Sequence, residues 1–150
     1  MARDIPSQRL ELDNYPLQKL METRYSDMDS YAHLNNGSIG RLYENCRALM
    51  HIEIYQKTDL FVPNATERTL LVECRLRYLH EGHFPGAVTV GTGIGKLGRT
   101  SYHIHQALFQ GDRCIGLCDS VMVRVVGDAP SAIEGELRDR FSGQLVKAPE

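Results

Sequence analysis

Between Arg24 and Gly37 the chain reads Arg24-Tyr25-Ser26-Asp27-Met28-Asp29-Ser30-Tyr31-Ala32-His33-Leu34-Asn35-Asn36-Gly37. Two carboxylates, a histidine and two amides thus fall in one short stretch. Immediately afterwards apolar residues recur at Ile39, Leu42, Tyr43, Cys46, Leu49 and Met50. Those steps of three and four predict a helix, with asparagine or serine at its start as the N-cap. The first turn of a helix presents unpaired N–H donors and roughly half a positive charge. A carbonyl oxygen resting on those donors would leave its carbon open to Asp29, which is the chemistry of acyl transfer. The same residue types also suit a capped turn in which Asp and Asn only satisfy backbone groups. Spacing alone leaves both readings standing.

The elements that must hold this cluster are legible as periodicities. Ile54 and Tyr55 extend the helix to about 20 residues, or ~30 Å. Leu17 to Tyr25 reads as a strand before it, and Thr58 to Thr66, with Pro63, as the loop that ends it. From Arg68 to His80 the alternation is clean, with Leu70, Val72, Cys74, Leu76 and Tyr78 expected on a buried face. Val88, Val90 and Ile94 share one face of the next strand, while Gly91, Gly93 and Gly95 share the other, where they allow close backbone approach. Ser101 to Phe109 and Cys114 to Val126 follow, joined by a Gly111-Asp112 hairpin signal. The last strand is apolar or small on both faces, which predicts an interior position. A short helix over Glu134 to Arg140 completes the pattern. The expected architecture is α+β, with a curved antiparallel five-stranded sheet wrapped around one long helix and the last four strands in a meander. One helix cannot cover both sheet faces, so a homo-oligomer is expected.

Composition narrows the class. A chain of 150 residues fits one domain, here read as 1–150 with loose ends at 1–15 and 145–150. Net charge is −2 from 17 basic and 19 acidic residues, which argues against a nucleic-acid binder. No apolar run approaches a membrane span, and Met1-Ala2-Arg3-Asp4-Ile5-Pro6 lacks the apolar core of a signal peptide. Cys46, Cys74, Cys114 and Cys118 read as reduced thiols, so a cytoplasmic location is expected.

The segment Asp27-Met28-Asp29-Ser30-Tyr31-Ala32-His33-Leu34-Asn35-Asn36 resembles the active-site loop of hotdog-fold acyl-CoA thioesterases of the 4-hydroxybenzoyl-CoA thioesterase type. In that family the loop runs Asp-x-Asp-x-x-Gly-His-Val-Asn-Asn into the long central helix. Ala32 stands where glycine is commoner, and Leu34 where valine is. The likeness extends in pattern over about residues 17–126, including Gly98-Arg99-Thr100-Ser101. It implies the hotdog fold and hydrolysis of an acyl-CoA thioester in a homodimer or homotetramer, with the acyl pocket between subunits. It implies no metal and no cofactor beyond the coenzyme A of the substrate. Residue by residue, Asp29 matches the catalytic carboxylate, as nucleophile or general base. Asn36 matches the position whose backbone N–H polarises the carbonyl. His33 and Asn35 match residues that shape the loop or touch substrate. Tyr31 stands where some relatives carry asparagine, and Glu44 would be the acid of another hotdog branch. The alternative is a non-catalytic acyl-CoA binding module on the same fold.

Weaker signals remain. Gly93-Ile94-Gly95-Lys96-Leu97-Gly98 spells G-x-G-x-x-G, but a strand follows where a dinucleotide fold needs a helix, and Leu97 breaks the P-loop pattern. Lys96 and Arg99 are candidate partners of coenzyme A phosphates, or simply a solvated strand end. His103 and His105 share a strand face, with His80 and His83 near in sequence; structural or surface histidines are the default reading over metal ligands. There is no Gly-x-Ser-x-Gly elbow.

Overall fold

A computed structural model describes residues 4–150 of the chain. The part of the loose N-terminus and of the leader reading that falls on residues 1–3 lies outside the described residues. Strand β1 spans Leu17–Glu22, helix α1 Asn36–Tyr55, β2 Glu67–Tyr78, β3 Ala87–Leu97, β4 Ser101–Gln110, β5 Arg113–Val126, β6 Ala129–Pro130 and helix α2 Gly135–Ser142. The helix runs over the expected residues. The Asn35 side chain caps it by accepting from the Gly37 N–H at 2.8 Å, and it ends at Gln56 in the left-handed region. The pairings are antiparallel, in the order β1-β3-β4-β5-β2, with β6 added beside β5. The sheet curls around α1 in the hotdog arrangement.

Two expectations about the strands are corrected. Only β3-β4-β5 form a meander; β2 lies on the far edge against β5. Helix α1 carries the chain across the concave face, so β2 starts on the far side, and residues 79–86 return across the ends of β5 and β4. That is ~14 Å at ~4.8 Å per strand, an easy reach for this segment. The second correction concerns which β2 side chains share a face. The register slips between Leu71 and Glu73, leaving Val72 as an unpaired extra residue. Leu71, paired with Met122, therefore takes the helix side, along with Cys74, Leu76 and Tyr78, while Leu70 turns outward. Most of this strand is exposed: Val72 is 65% accessible and Tyr78 50%. A similar slip near Ile115 puts Ile115 in the cluster under α1 and Cys114 in the cluster on the outer face.

The core lies between α1 and the concave face, built on Met50, Ile54, Ile94, Ile104 and Met122 at one end and Ile39, Tyr43, Cys46, Val90 and Leu108 at the other. The convex face is covered in part by the chain's own ends, which corrects both the loose-end expectation and the reason given for an oligomer. Tyr15 and Val146 pack on Ala107, Phe109 and Leu117. A side chain at Gly91 would collide with the Tyr15 ring, and one at Gly93 with Pro16 and Val146. The glycine stripe is thus the bed of these two segments. Ala148 N–H donates to Asn14 Oδ1 at 2.9 Å, and Glu150 reaches His103 Nδ1 at 2.8 Å and His105 Nε2 at 3.0 Å. No described helix is long and apolar enough to cross a membrane.

His51 of α1 is buried, with Nε2 2.6 Å from the Tyr102 hydroxyl. Burial, with Arg47 adding repulsion, lowers its pKa to about 4 from the ordinary 6.5. The unfolded chain therefore binds a proton between pH 6.5 and 4 that the native chain refuses. Stability from this group is complete above about pH 6.5 and falls as pH drops toward 4, by ~3 kcal/mol in all. Urea unfolding of the native chain and of His51→Gln from pH 7.5 to 4.5 checks this: the variant is expected to lose a distinct part of the acid slope, whatever its stability at neutral pH.

Candidate active site

The loop between β1 and α1 is built around its two acids, which do different work. Asp27 is buried, with Oδ2 accepting from the Arg24 N–H at 2.8 Å and Oδ1 from Arg24 Nη2 at 3.2 Å. Its carbonyl accepts from the Asn35 N–H at 2.7 Å, so it fastens the loop's entrance to its exit. Asp29 is half-buried. Its Oδ1 accepts from the Tyr31 N–H at 2.9 Å and, more weakly, from the His33 N–H at 3.4 Å. Its Oδ2 has no hydrogen-bond partner among the described residues. One oxygen thus orients the carboxylate and the other is available.

Ala32 makes the tight reversal at the loop's tip with φ of 61°. That is the left-handed region, which favours glycine, and it gives a physical reason for glycine being commoner at this point of the loop it resembles. The Ala32 N–H bonds the Asp29 carbonyl, and the Asp29 N–H bonds the His33 carbonyl, closing the turn. The Leu34 N–H then donates to the Gly82 carbonyl at 2.8 Å, pinning the loop to the crossover after β2.

A cleft of about 280 Å³ lies here, lined by Asp29, His33 and Asn36 on one side and by Tyr78, Glu81 and Gly82 on the other. At its edge the first turn of α1 presents its N–H groups. That of Gly37 is taken by the Asn35 cap, whereas that of Asn36 has no acceptor among the described residues. Asp29, with one free carboxylate oxygen, and Asn36, with a free N–H, thus line the same cleft.

The other residues singled out from the sequence divide. Asn35 spends its side-chain oxygen on the cap and so shapes the loop. His33 lines the cleft with Nε2 3.1 Å from Glu81 Oε2, and its ring meets that of His83 edge-on. Tyr31 and Glu44 are exposed. Lys96 and Arg99 are not brought to the site within this chain. The Ala87 end of β3 pairs with Glu22 beside the loop, and Lys96 lies at the strand's other end, ~30 Å away at ~3.3 Å per residue. His80 contacts Arg113 and His83 lies by His33, whereas His103 and His105 hold Glu150, so the four histidines do not converge. The reading of single segments missed Tyr78, Glu81 and Gly82. They reach the cleft only because β2 pairs with β5 and the Leu79 N–H bonds the Ile115 carbonyl, contacts with no local signature.

A family model described as the thioesterase-like superfamily matches residues 23–141, the span from the loop to α2. Among solved structures, the PA5185 protein from Pseudomonas aeruginosa strain PAO1 is 26% identical with a TM-score of 0.80, covering 93% of this chain and 97% of its own. A thioesterase from Thermus thermophilus, crystallised with coenzyme A and Zn, is 20% identical with a TM-score of 0.72 over 85% of this chain and 98% of its own. The BH1999 gentisyl-coenzyme A thioesterase is 14% identical with a TM-score of 0.73 over 84% and 99%. The last two likenesses are of fold. No curated protein matches the chain.

Proposed function

The chain belongs to the thioesterase-like superfamily, and we propose that it hydrolyses an acyl-CoA thioester to the free acid and coenzyme A. The observation that carries this reading is that one cleft is lined by both Asp29 and Asn36, whose Oδ2 and backbone N–H have no hydrogen-bond partner among the described residues. The thioester carbonyl oxygen rests on the Asn36 N–H. Asp29 either takes a proton from water as the water oxygen attacks the carbonyl carbon, or attacks that carbon itself and is freed by water in a second step. In both routes the tetrahedral oxyanion collapses by breaking the carbon–sulfur bond, and coenzyme A leaves as a thiolate. A thiol of pKa ~8.5 is a good leaving group at neutral pH, so no strong general acid is required. The fixed dipole of the helix start holds the developing charge without reorganising. The coenzyme A bound to the Thermus thioesterase of like fold supports the choice of carrier. The free thiols of Cys46, Cys74, Cys114 and Cys118 accord with a reducing compartment such as the cytoplasm.

The test is a panel of acyl-CoAs of graded length, branching and aromaticity, with released thiol read by a colorimetric reagent. Thiol release from at least one is expected. Binding of acyl-CoA without release would identify a binding module, and neither binding nor release would overturn the reading.

The same proposal includes a homodimer or homotetramer. Strand β2 is twelve residues long, lies at the sheet edge and leaves Leu70, Leu71, Val72 and Tyr78 exposed. A long apolar edge is what a monomer avoids and a continuous inter-subunit sheet uses. Sedimentation at micromolar concentration is expected to give a multiple of 16.9 kDa; a monomer would contradict the proposal.

A further inference from the structure

Arg47 lies midway along α1 on the face turned to the sheet and is only 7% exposed. Its Nη1 donates to Gln106 Oε1 at 3.2 Å and lies 3.8 Å from Cys118 Sγ. Gln106 is itself fixed, with Nε2 donating to the Tyr43 carbonyl and to Thr92 Oγ1, each at 3.0 Å. The groups that hold the guanidinium are thus neutral. Burial pushes the Cys118 thiol up to about 12, so it supplies no negative charge. Among the described residues, no carboxylate comes within ion-pair distance of Arg47. Its Nε and Nη2 have no acceptor there either, and neither is sealed from open space.

A guanidinium does not shed its proton, and a buried cation without an anion is costly. Its free donors form a fork that fits a carboxylate. The helix side of β2 runs from the cleft to the neighbourhood of that fork. Tyr78 lines the cleft, and Leu76 and Cys74 continue from it along the helix side of β2. Cys74 is exposed, and its Sγ lies 3.5 Å from Cys118 Sγ, the atom beside Arg47. The Asn36 N–H and Arg47 are ~16 Å apart along the helix axis. Helical side chains lean back toward the N-terminus, which shortens the gap to the length of a medium acyl chain. The β2 side chains along this line carry no charge, and Arg47 stands at its far end.

Resting on the thioesterase reading, we infer that Arg47 is a specificity-determining residue that receives a carboxylate at the far end of the acyl group, so that the preferred substrates are coenzyme A monothioesters of dicarboxylic acids. Suberyl-CoA and octanoyl-CoA match in carbon count and differ in that carboxylate. The native enzyme is expected to favour suberyl-CoA in kcat/KM by about tenfold or more, Arg47→Met to reverse the order, and Arg47→Lys to keep part of the preference. Equal ratios in the native enzyme and Arg47→Met, or a native preference for octanoyl-CoA, would overturn the inference and leave the thioesterase reading intact. So would dissociation of Arg47→Met oligomers with the ratio unchanged, which would assign Arg47 to an ion pair between subunits. Calorimetric titration with free suberate and octanoate supplies a readout without turnover. If no thioester is cleaved, the thioesterase reading falls, while suberate binding that is lost in Arg47→Met still supports the Arg47 site and its absence in the native protein overturns it. Should Arg47→Met fail to fold, the native preference and the Arg47→Lys variant decide.

Discussion

Asp29→Asn is expected to abolish thioester hydrolysis while leaving the fold intact. The amide keeps an oxygen where Oδ1 accepts from the Tyr31 and His33 N–H groups, so the turn that orients the side chain survives. What changes is the free position, where an NH2 group replaces the oxygen that would attack carbon or take a proton from water. An amide has neither the charge nor the basicity for that step. A loss well beyond tenfold in kcat is expected, and a variant keeping more than about a tenth of native turnover, a loss under ~1.4 kcal/mol, would sink the assignment. Asp27→Asn is the control. Both Asp27 oxygens are bonded to Arg24, so this change should cost stability, ~1 kcal/mol, more than turnover. If a folded Asp27→Asn is the slower enzyme, the catalytic acid has been misidentified. Circular dichroism with steady-state kinetics on both variants separates the outcomes.

What could be read from the chain followed the range of the forces involved. Helix α1 was legible to its ends because periodicity and the Asn35 cap are local properties of the chain. So was the loop, since a carboxylate that bonds N–H groups two and four residues ahead needs no distant partner. Strand existence was legible for the same reason, but strand order was not. Alternation at Leu70 to Tyr78 records a half-buried pleat and says nothing of which neighbour it pairs with. The extra residues at Val72 and near Ile115 reverse the faces of what precedes them without any composition signal. The glycines of β3 announced a close approach, yet the approaching groups, Tyr15 and Val146, lie in short segments of no clear periodicity near opposite ends of the chain. Lys96 and Arg99 lie away from the loop within the chain, for the converse reason. A plausible charge pair says nothing about which end of a strand lies beside the loop.

The backbone of Asn36 carries the second large expectation. Asn36→Ala keeps the N–H at the helix start and Asn36→Pro removes it, so the two variants weigh that single donor. The position tolerates proline on three counts. It is the first residue of α1, where proline's fixed φ suits the helix. Its N–H makes no hydrogen bond in the fold among the described residues, so none is lost. The preceding Asn35 has φ −70° and ψ 146°, the extended conformation that a residue before proline prefers. Asn35 can also go on capping the Gly37 N–H, so the helix start should keep its shape. With folding preserved, loss of one oxyanion donor is expected to cost ~2.7–4 kcal/mol, about a hundred- to thousandfold in kcat, while alanine stays near the native rate. Melting temperatures of the two variants establish that the comparison is between folded proteins. If the proline variant folds and turns over as fast as the alanine variant, the Asn36 N–H is not the donor. The electrophile must then be another group on the cleft wall, and His33, facing the same cleft beside Glu81, is the next to test.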